Sequence, residues 1–505
     1  MNIYSLLNIR CLEKISLLFF SYRTYLKTQP ALEVALIQVI SLILFFKSPY
    51  ALPLLLILMG SLGFKRAICF VLPLVILFGS YFYIFYQGAP PYGEQFGSAK
   101  IHLKKVSFQL GFFGSSWIYS GVVERFQGTK GTYTNLPFTY HRKGKLAPLN
   151  TDYDYEVEVL LKRKETYGYS LKLAPEREFR PLKKNWGLAR KRYQMKQAFN
   201  QFLKTKIRSK RAREFLMGIT TGEFSNAFLS FTFSRFGLNH LLAISGFHFG
   251  LLLLFCNFIL SPIFSKKWKT ILLIISLAGF YFFVGDTPSL SRAWIVSTLY
   301  LIAVLLDKRP SPINTLSLSL SVILILDPLM IYHLGFQFSF WVTYGILFYS
   351  NRIEQWIKKR KFRNFYLKNT LIKAVALGLS VHVAAVPLTL YYFHKFYFLS
   401  FIFNFFVPLI VGATLFIFLS ALLIYFFAPF LAHYLFLMVN HATKWLLDFI
   451  YSVPTSFDYS IRVPTFPLSL LFCYLILFVF FGALKSDPLL GPLEFLALDL
   501  GEQKK

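Results

Sequence analysis

Cysteine is sparse and scattered in this sequence. Its four residues, Cys11, Cys69, Cys256 and Cys473, lie far apart, and three of them fall inside apolar segments. No CxxC pair and no Cys/His ligand spacing occurs, so neither a zinc site nor a disulfide framework is expected. No GxxxxGK[ST] is present, which excludes a P-loop motor within the chain. The opening residues carry Arg10, Lys14, Arg23 and Lys27 among short apolar patches and lack a small-residue cleavage site. They read as a retained cytoplasmic lead-in, not a signal peptide. Acidic residues are also few: 23 Asp and Glu stand against 54 Lys and Arg, leaving a net charge of +31. Basic cytoplasmic loops account for part of such an excess. A polyanionic partner accounts for the rest.

What the chain has in quantity is apolar surface. It is 55% hydrophobic and 19% aromatic, well outside the soluble range. Runs long enough to cross a bilayer recur, which predicts a polytopic α-helical membrane protein of about a dozen helices. Three apolar segments near 31–46, 49–63 and 67–86 make up an N-terminal membrane region, 1–87. Residues 88–185 are polar and basic, with strand-like alternation: Tyr153, Tyr155, Val157, Val159 and Leu161 against Asp154, Glu156, Glu158 and Leu160. Several short strands in that length suit a small β-barrel. Residues 186–213 read as a basic amphipathic helix, able to lie on lipid headgroups or to serve as a solvated linker. A channel-like membrane domain spans 214–484, and 485–505 form a tail.

Loop charge orients the chain. The basic loop from Arg352 to Lys368 belongs in the cytoplasm, and counting back places Lys308-Arg309, Lys266-Lys267 and Lys65-Arg66 there too. The β domain is then extracytoplasmic; the tail falls in the cytoplasm on the same count, and one segment more or fewer near 399–450 would reverse its side.

The most informative stretch runs from Gly237 to Gly250. It drops His240, Ser245, Gly246 and His248 into a run otherwise fit for lipid. Polar groups at that depth must face protein or a water-filled passage. His240 and His248 are eight residues apart, roughly 80° from a common direction on an ideal helix. With no carboxylate or cysteine beside them a metal site is not expected, and Ser245 has no nearby acid to orient a base. Further on, Thr287 and Pro288 read as N-cap and first residue of a helix whose start carries Ser289 and Arg292. Its free N–H groups and Arg292 suit an anion such as phosphate. The other reading has Arg292 snorkelling to headgroups or pairing with Asp286. Gln337, Ser339 and Asn404 place further polar groups inside apolar helices, as interhelical glue or as lining of a path. In the β domain, Arg142, Lys143, Lys145, Lys162, Arg163 and Lys164 interleave with Trp117, Tyr133 and Tyr140, a pattern suited to phosphates and stacked bases.

In order, these motifs closely resemble the membrane core of the ComEC-type competence proteins. The likeness begins at Leu216-Met217-Gly218 and the 237–250 segment. It continues through Pro288-Ser289-Leu290-Ser291-Arg292-Ala293, Asp327-Pro328, Gly335-Phe336-Gln337-Phe338-Ser339 and Val386-Pro387 to Asn404 and Pro408. The resemblance implies an OB-like extracytoplasmic domain and a bacterial inner-membrane channel that passes single-stranded DNA into the cytoplasm during natural transformation. His240, Ser245, Gly246, His248, Ser289, Arg292, Gln337, Ser339 and Asn404 would line its path. Implied partners are the lipid bilayer, a DNA receptor outside, and a cytoplasmic ATPase or single-strand-binding protein; oligomeric state, a homo-oligomer included, stays open. Two departures stand out. The cysteine pair common in the family's external domain is absent from 88–213. Leu496 to Gln503 looks like the opening strand of a metallo-β-lactamase-like domain, yet no HxHxDH cluster follows before Lys505. A shortened form, without catalytic residues, cofactor or metal, is expected. A secondary transporter or flippase for another anionic molecule, or an assembly scaffold, are the competing readings.

Overall fold

The computed structural model describes residues 29–46, 55–56, 58–59, 67–111, 114–143, 149–164, 167–173, 179–184, 188–224, 226–359, 366–454 and 459–483. The lead-in, most of the apolar segment 49–63, Lys145, the centre of the basic loop at 360–365 and the tail 485–505 lie outside them.

Among the described residues, α1 (Pro30–Phe45), with proline at its start, precedes α2 (Leu72–Tyr86), which is entered through a π-helical turn at Ala67–Val71. Six strands follow: β1 (Glu94–Gly111), β2 (Gly114–Gly128), β3 (Gly131–Lys143), β4 (Tyr153–Arg163), β5 (Tyr169–Leu173) and β6 (Arg180–Lys184). β1 pairs with both β2 and β4, β2 with β3, β3 in parallel with β5, and β5 with β4, while β6 hangs on β4. Each of β1 to β5 thus has a partner on either side. The alternation read in β4 holds, with Tyr155, Val157, Val159 and Leu161 buried and Glu156 exposed. Asp154 breaks it. Its carboxylate is buried, with Oδ1 2.8 Å from His102 Nδ1.

Gly121 of β2 faces β1 so closely that a Cβ there would collide with the His102 carbonyl oxygen. Gly121→Ala is therefore expected to part the two strands, at a cost of about 3 kcal/mol. Limited proteolysis of the purified full-length variant should cut within 94–143 far sooner than in the parent; an equally resistant variant would show that the strands can separate without loss.

The basic stretch expected as one helix is two, α3 (Leu188–Lys206) and α4 (Lys210–Thr221), because Ser209 caps a new start and accepts from Ala212 N–H. Then come α5 (Ala227–Arg235), the short α6 (Asn239–Leu242), α7 (Gly246–Leu260), α8 (Lys266–Val284), α9 (Pro288–Leu305) and α10 (Pro312–Leu326). A 3-10 turn at Pro328–Tyr332 leads into α11 (Leu334–Lys359) and α12 (Tyr366–Phe393), and α13 (Leu399–Tyr425), α14 (Pro429–Ser452) and α15 (Leu468–Ala483) complete the bundle. Strands β7 (Lys395–Tyr397) and β8 (Ser460–Arg462) pair across it. Pro387 inside α12 frees the Val383 carbonyl, and the Tyr474 hydroxyl of α15 donates to it at 2.5 Å.

Among the described residues, five helices are long and apolar enough to cross a membrane: Cys69–Tyr86, Lys266–Val284, Pro288–Leu305, Asn369–Phe393 and Leu399–Tyr425. Four shorter apolar ones accompany them: Pro30–Phe45, Gly246–Leu260, Pro312–Leu326 and Leu468–Phe478. α7, at 15 residues, measures about 22 Å, less than the ~30 Å hydrocarbon layer.

The bundle has two distinct ends. At one, Ser311 Oγ donates to Gln29 Oε1 (2.7 Å) and Lys266 pairs with Asp307 (2.9 Å). At the other the β domain sits. Thr134 Oγ1 and Asn135 Nδ2 donate to Phe85 O at 3.1 and 3.0 Å, and the Arg163 guanidinium lies 4.2 Å from the Tyr92 ring and 5.3 Å from Tyr332. α3 is clamped there as well. Arg192 Nε donates to Phe282 O (2.7 Å) and the buried Lys196 to Val284 O (2.8 Å), so two cations meet the C-terminal carbonyls of α8. Burial pushes the Lys196 ammonium down to about 8, while Glu223 at 3.0 Å opposes that shift.

Candidate functional site

The 237–250 segment is a broken helix. α6 ends at Leu242, Ala243 is extended, and α7 restarts at Gly246 with Ser245 as its N-cap. Ser245 Oγ accepts from Phe247 N–H at 3.3 Å, and His248 Nδ1 accepts from Ser245 N–H at 3.3 Å, a reciprocal cap. That bond fixes the tautomer. An accepting Nδ1 leaves the proton of the neutral ring on Nε2, which is buried and has no partner among the described residues. His240 is exposed. Its Nδ1 lies 3.2 Å from Gly237 O.

Arg292 faces the start of α7. A Cβ placed on Gly246 would lie 3.0 Å from Arg292 Nη2. Its Nε donates to Ser339 Oγ (2.7 Å) and its Nη1 to Thr343 Oγ1 (2.8 Å), both on α11. Among the described residues no carboxylate pairs with it. Asp286 is engaged elsewhere, accepting from Ser291 Oγ (2.5 Å) and Tyr281 OH (3.2 Å). Among the described residues the site is therefore a cation whose hydrogen bonds both go to hydroxyls, with the Phe340 ring 5.9 Å away, beside the positive end of a helix. Such an arrangement holds anions.

The other candidates divide. Ser289 stands at the start of α9, with its Oγ 4.0 Å from a Cβ on Gly335. Thr287 occupies the N-cap position of α9, but its hydroxyl makes no cap and is buried without a partner among the described residues. Gln337 is used at both ends of its amide: Nε2 donates to Ile331 O (2.7 Å) and Oε1 accepts from Tyr392 OH (2.5 Å). Asn404 Oδ1 is buried and unpartnered among the described residues. Thr343 is the ligand that sequence reasoning missed; its place one helical turn after Ser339 was the available signal.

In the β domain Tyr140 is a core residue, stacked 6.0 Å from Tyr119. Trp117 packs against Phe108 (4.9 Å) and Tyr193 of α3 (6.5 Å), and the half-buried Tyr133 joins the same core. Arg163 serves the junction with the helices, and the Lys164 ammonium binds Thr139 Oγ1. Lys162 stays exposed in an ion pair with Glu94 (2.8 Å), and Arg142 is half-exposed opposite Trp117. Lys143 ends β3, and its side chain lies outside the described residues. One group of possible metal ligands lies close together among the described residues, His102, Glu124 and Asp154, with ligand atoms within 4.8 Å. Lys100 Nζ stands 2.6 Å from Glu124 Oε2 and balances that charge.

Residues 225–488, more than half of the chain, match the family described as "Competence protein". The chain belongs to that family. The matched span holds α7, Arg292 and both of its hydroxyl ligands. The chain is also 29% identical over 169 residues to "ComE operon protein 3" of Bacillus subtilis (strain 168), an alignment covering 33% of this chain and 20% of that protein. It thus spans about a fifth of that relative's length. No solved structure matches this competence-family chain.

Proposed function

We propose that this chain conducts single-stranded DNA across the bacterial cytoplasmic membrane during natural transformation. The observation that carries this reading is Arg292, an interior guanidinium held by Ser339 and Thr343 with no carboxylate pairing it among the described residues. A fixed cation in a low-dielectric setting is costly unless an anion offsets it. A strand with one negative charge per nucleotide supplies that anion at every step of its passage. The start of α7 adds a second source of positive potential beside it.

In this reading the ring of pairings among β1 to β5 closes as an OB-like barrel on the extracytoplasmic side. Its surface cations and the net charge of +31 draw the strand to the membrane. The work is transport without covalent chemistry. Ser245 and His248 are spent as helix caps, and His248 Nδ1 meets a backbone N–H where a nucleophile's base would meet a hydroxyl. Force on the strand comes from a cytoplasmic ATPase or single-strand-binding protein, and a receptor outside delivers the DNA.

The test is uptake. Cells lacking this chain should bind labelled DNA at the surface but accumulate no nuclease-protected single strand in the cytoplasm, and restoring the chain should restore it. Normal protected strand in the deletion would remove the proposal and leave the chain as a carrier of another anion.

A further inference from the structure

One short route joins the β domain to Arg292. Asp327, where α10 ends, accepts Leu329 N–H on Oδ1 (3.1 Å) and the Tyr167 hydroxyl on Oδ2 (2.5 Å). Tyr167 belongs to the loop between β4 and β5, so this contact crosses from the outer domain into the bundle. The Tyr167 ring also meets His333 edge-on, with centroids 5.0 Å apart. His333 Nδ1 in turn accepts Gly335 N–H (3.0 Å), and its carbonyl accepts Gln337 N–H (3.0 Å), which fixes the first turn of α11. Ser339, in the next turn, holds Arg292 Nε. Burial pushes the Asp327 carboxyl up to about 6, and the Tyr167 hydroxyl and Leu329 N–H both draw it back down.

We infer that Tyr167 is a positioning residue that couples the outer domain to the guanidinium of Arg292. The coupling runs through the Asp327-Pro328 turn and the His333 cap to Ser339. The inference rests on the transport reading above and adds the means by which a strand held outside sets the interior site. Helices and a tight capped turn move as units, so a shift of the β4–β5 loop is carried into the register of α11 against α9. A contact that merely glued the two parts together would affect how long the protein survives, and would leave transport per molecule unchanged.

The experiment uses the full chain in competent cells. Tyr167→Phe keeps the ring and its contact with His333 and removes only the hydroxyl. Three quantities are measured: inserted protein, surface-bound labelled DNA, and nuclease-protected single strand per inserted molecule. Tyr167→Phe should lower the protected strand roughly tenfold, the order expected for losing one charge-assisted hydrogen bond, with surface binding unchanged. Asp327→Asn should act similarly, and the double variant should be no worse than the more severe single one, since both cut the same link. Independent, multiplying losses in the double variant would overturn the inference, as would a loss that tracks protein abundance or surface binding, or no loss at all. If the unaltered chain delivers no protected strand, the transport reading itself fails, and this outcome is distinct from the others.

Discussion

Arg292→Met should cut strand uptake by at least about tenfold while leaving the protein inserted at near-normal level. Removing a cation usually orphans its acid, which is what destabilises a bundle. Here the partners are the Ser339 and Thr343 hydroxyls, and Thr343 already donates to Ser339 O at 2.7 Å. No buried carboxylate is left uncompensated among the described residues, so abundance is expected to hold. On the proposed transport role, the loss follows from removing a contact with a phosphodiester: about 1.5–3 kcal/mol for a charge-assisted bond corresponds to roughly 10- to 150-fold in rate. Arg292→Lys should fall between, because it keeps the charge but loses the fork that reaches two hydroxyls and still offers Nη2. The measurement is nuclease-protected strand per inserted molecule. Parental values in both variants would place the path elsewhere.

Gly246→Val should give a loss of similar size by the opposite route, adding bulk where the previous change removes charge. Even one added carbon on Gly246 would lie 3.0 Å from Arg292 Nη2, and a branched side chain displaces the guanidinium from the end of α7. Ser245→Ala is the control. It removes a cap bond worth about 1 kcal/mol, so thermal unfolding should move while uptake per molecule changes little. A Gly246→Val protein that transports normally would mean that the approach of Arg292 to α7 has no part in passage.

Much of this was legible in the sequence. The membrane class followed from composition, because apolar runs of spanning length have few other uses. The break before Gly246 was signalled by polar and small residues inside an apolar stretch, and the start of α9 by Pro288. The strand pattern of β4 could be read because each residue's face alternates along a half-buried strand. Even the basic character of 186–213 was plain, although its division at Ser209 was not. A capping serine followed by Lys and Arg looks the same inside a solvated helix.

The sequence also determined the order of the motifs and hence the family, since both depend only on which residues follow which. Tertiary structure alone decided which charges are free and which are committed. Arg163, Lys164 and Tyr140 look like binding residues in a list of basic and aromatic side chains, yet packing turns them toward a junction or a core. Gln337 looks like a lining residue, yet its amide is bonded at both ends. Arg292 shows the reverse: beside Asp286 in sequence it invites an ion pair, and in the fold it faces two hydroxyls and a glycine. The physical reason is that the availability of a charge depends on neighbours brought in from distant segments. Ser339 and Thr343 lie some fifty residues from Arg292, and only the packing of α9 on α11 brings the three together.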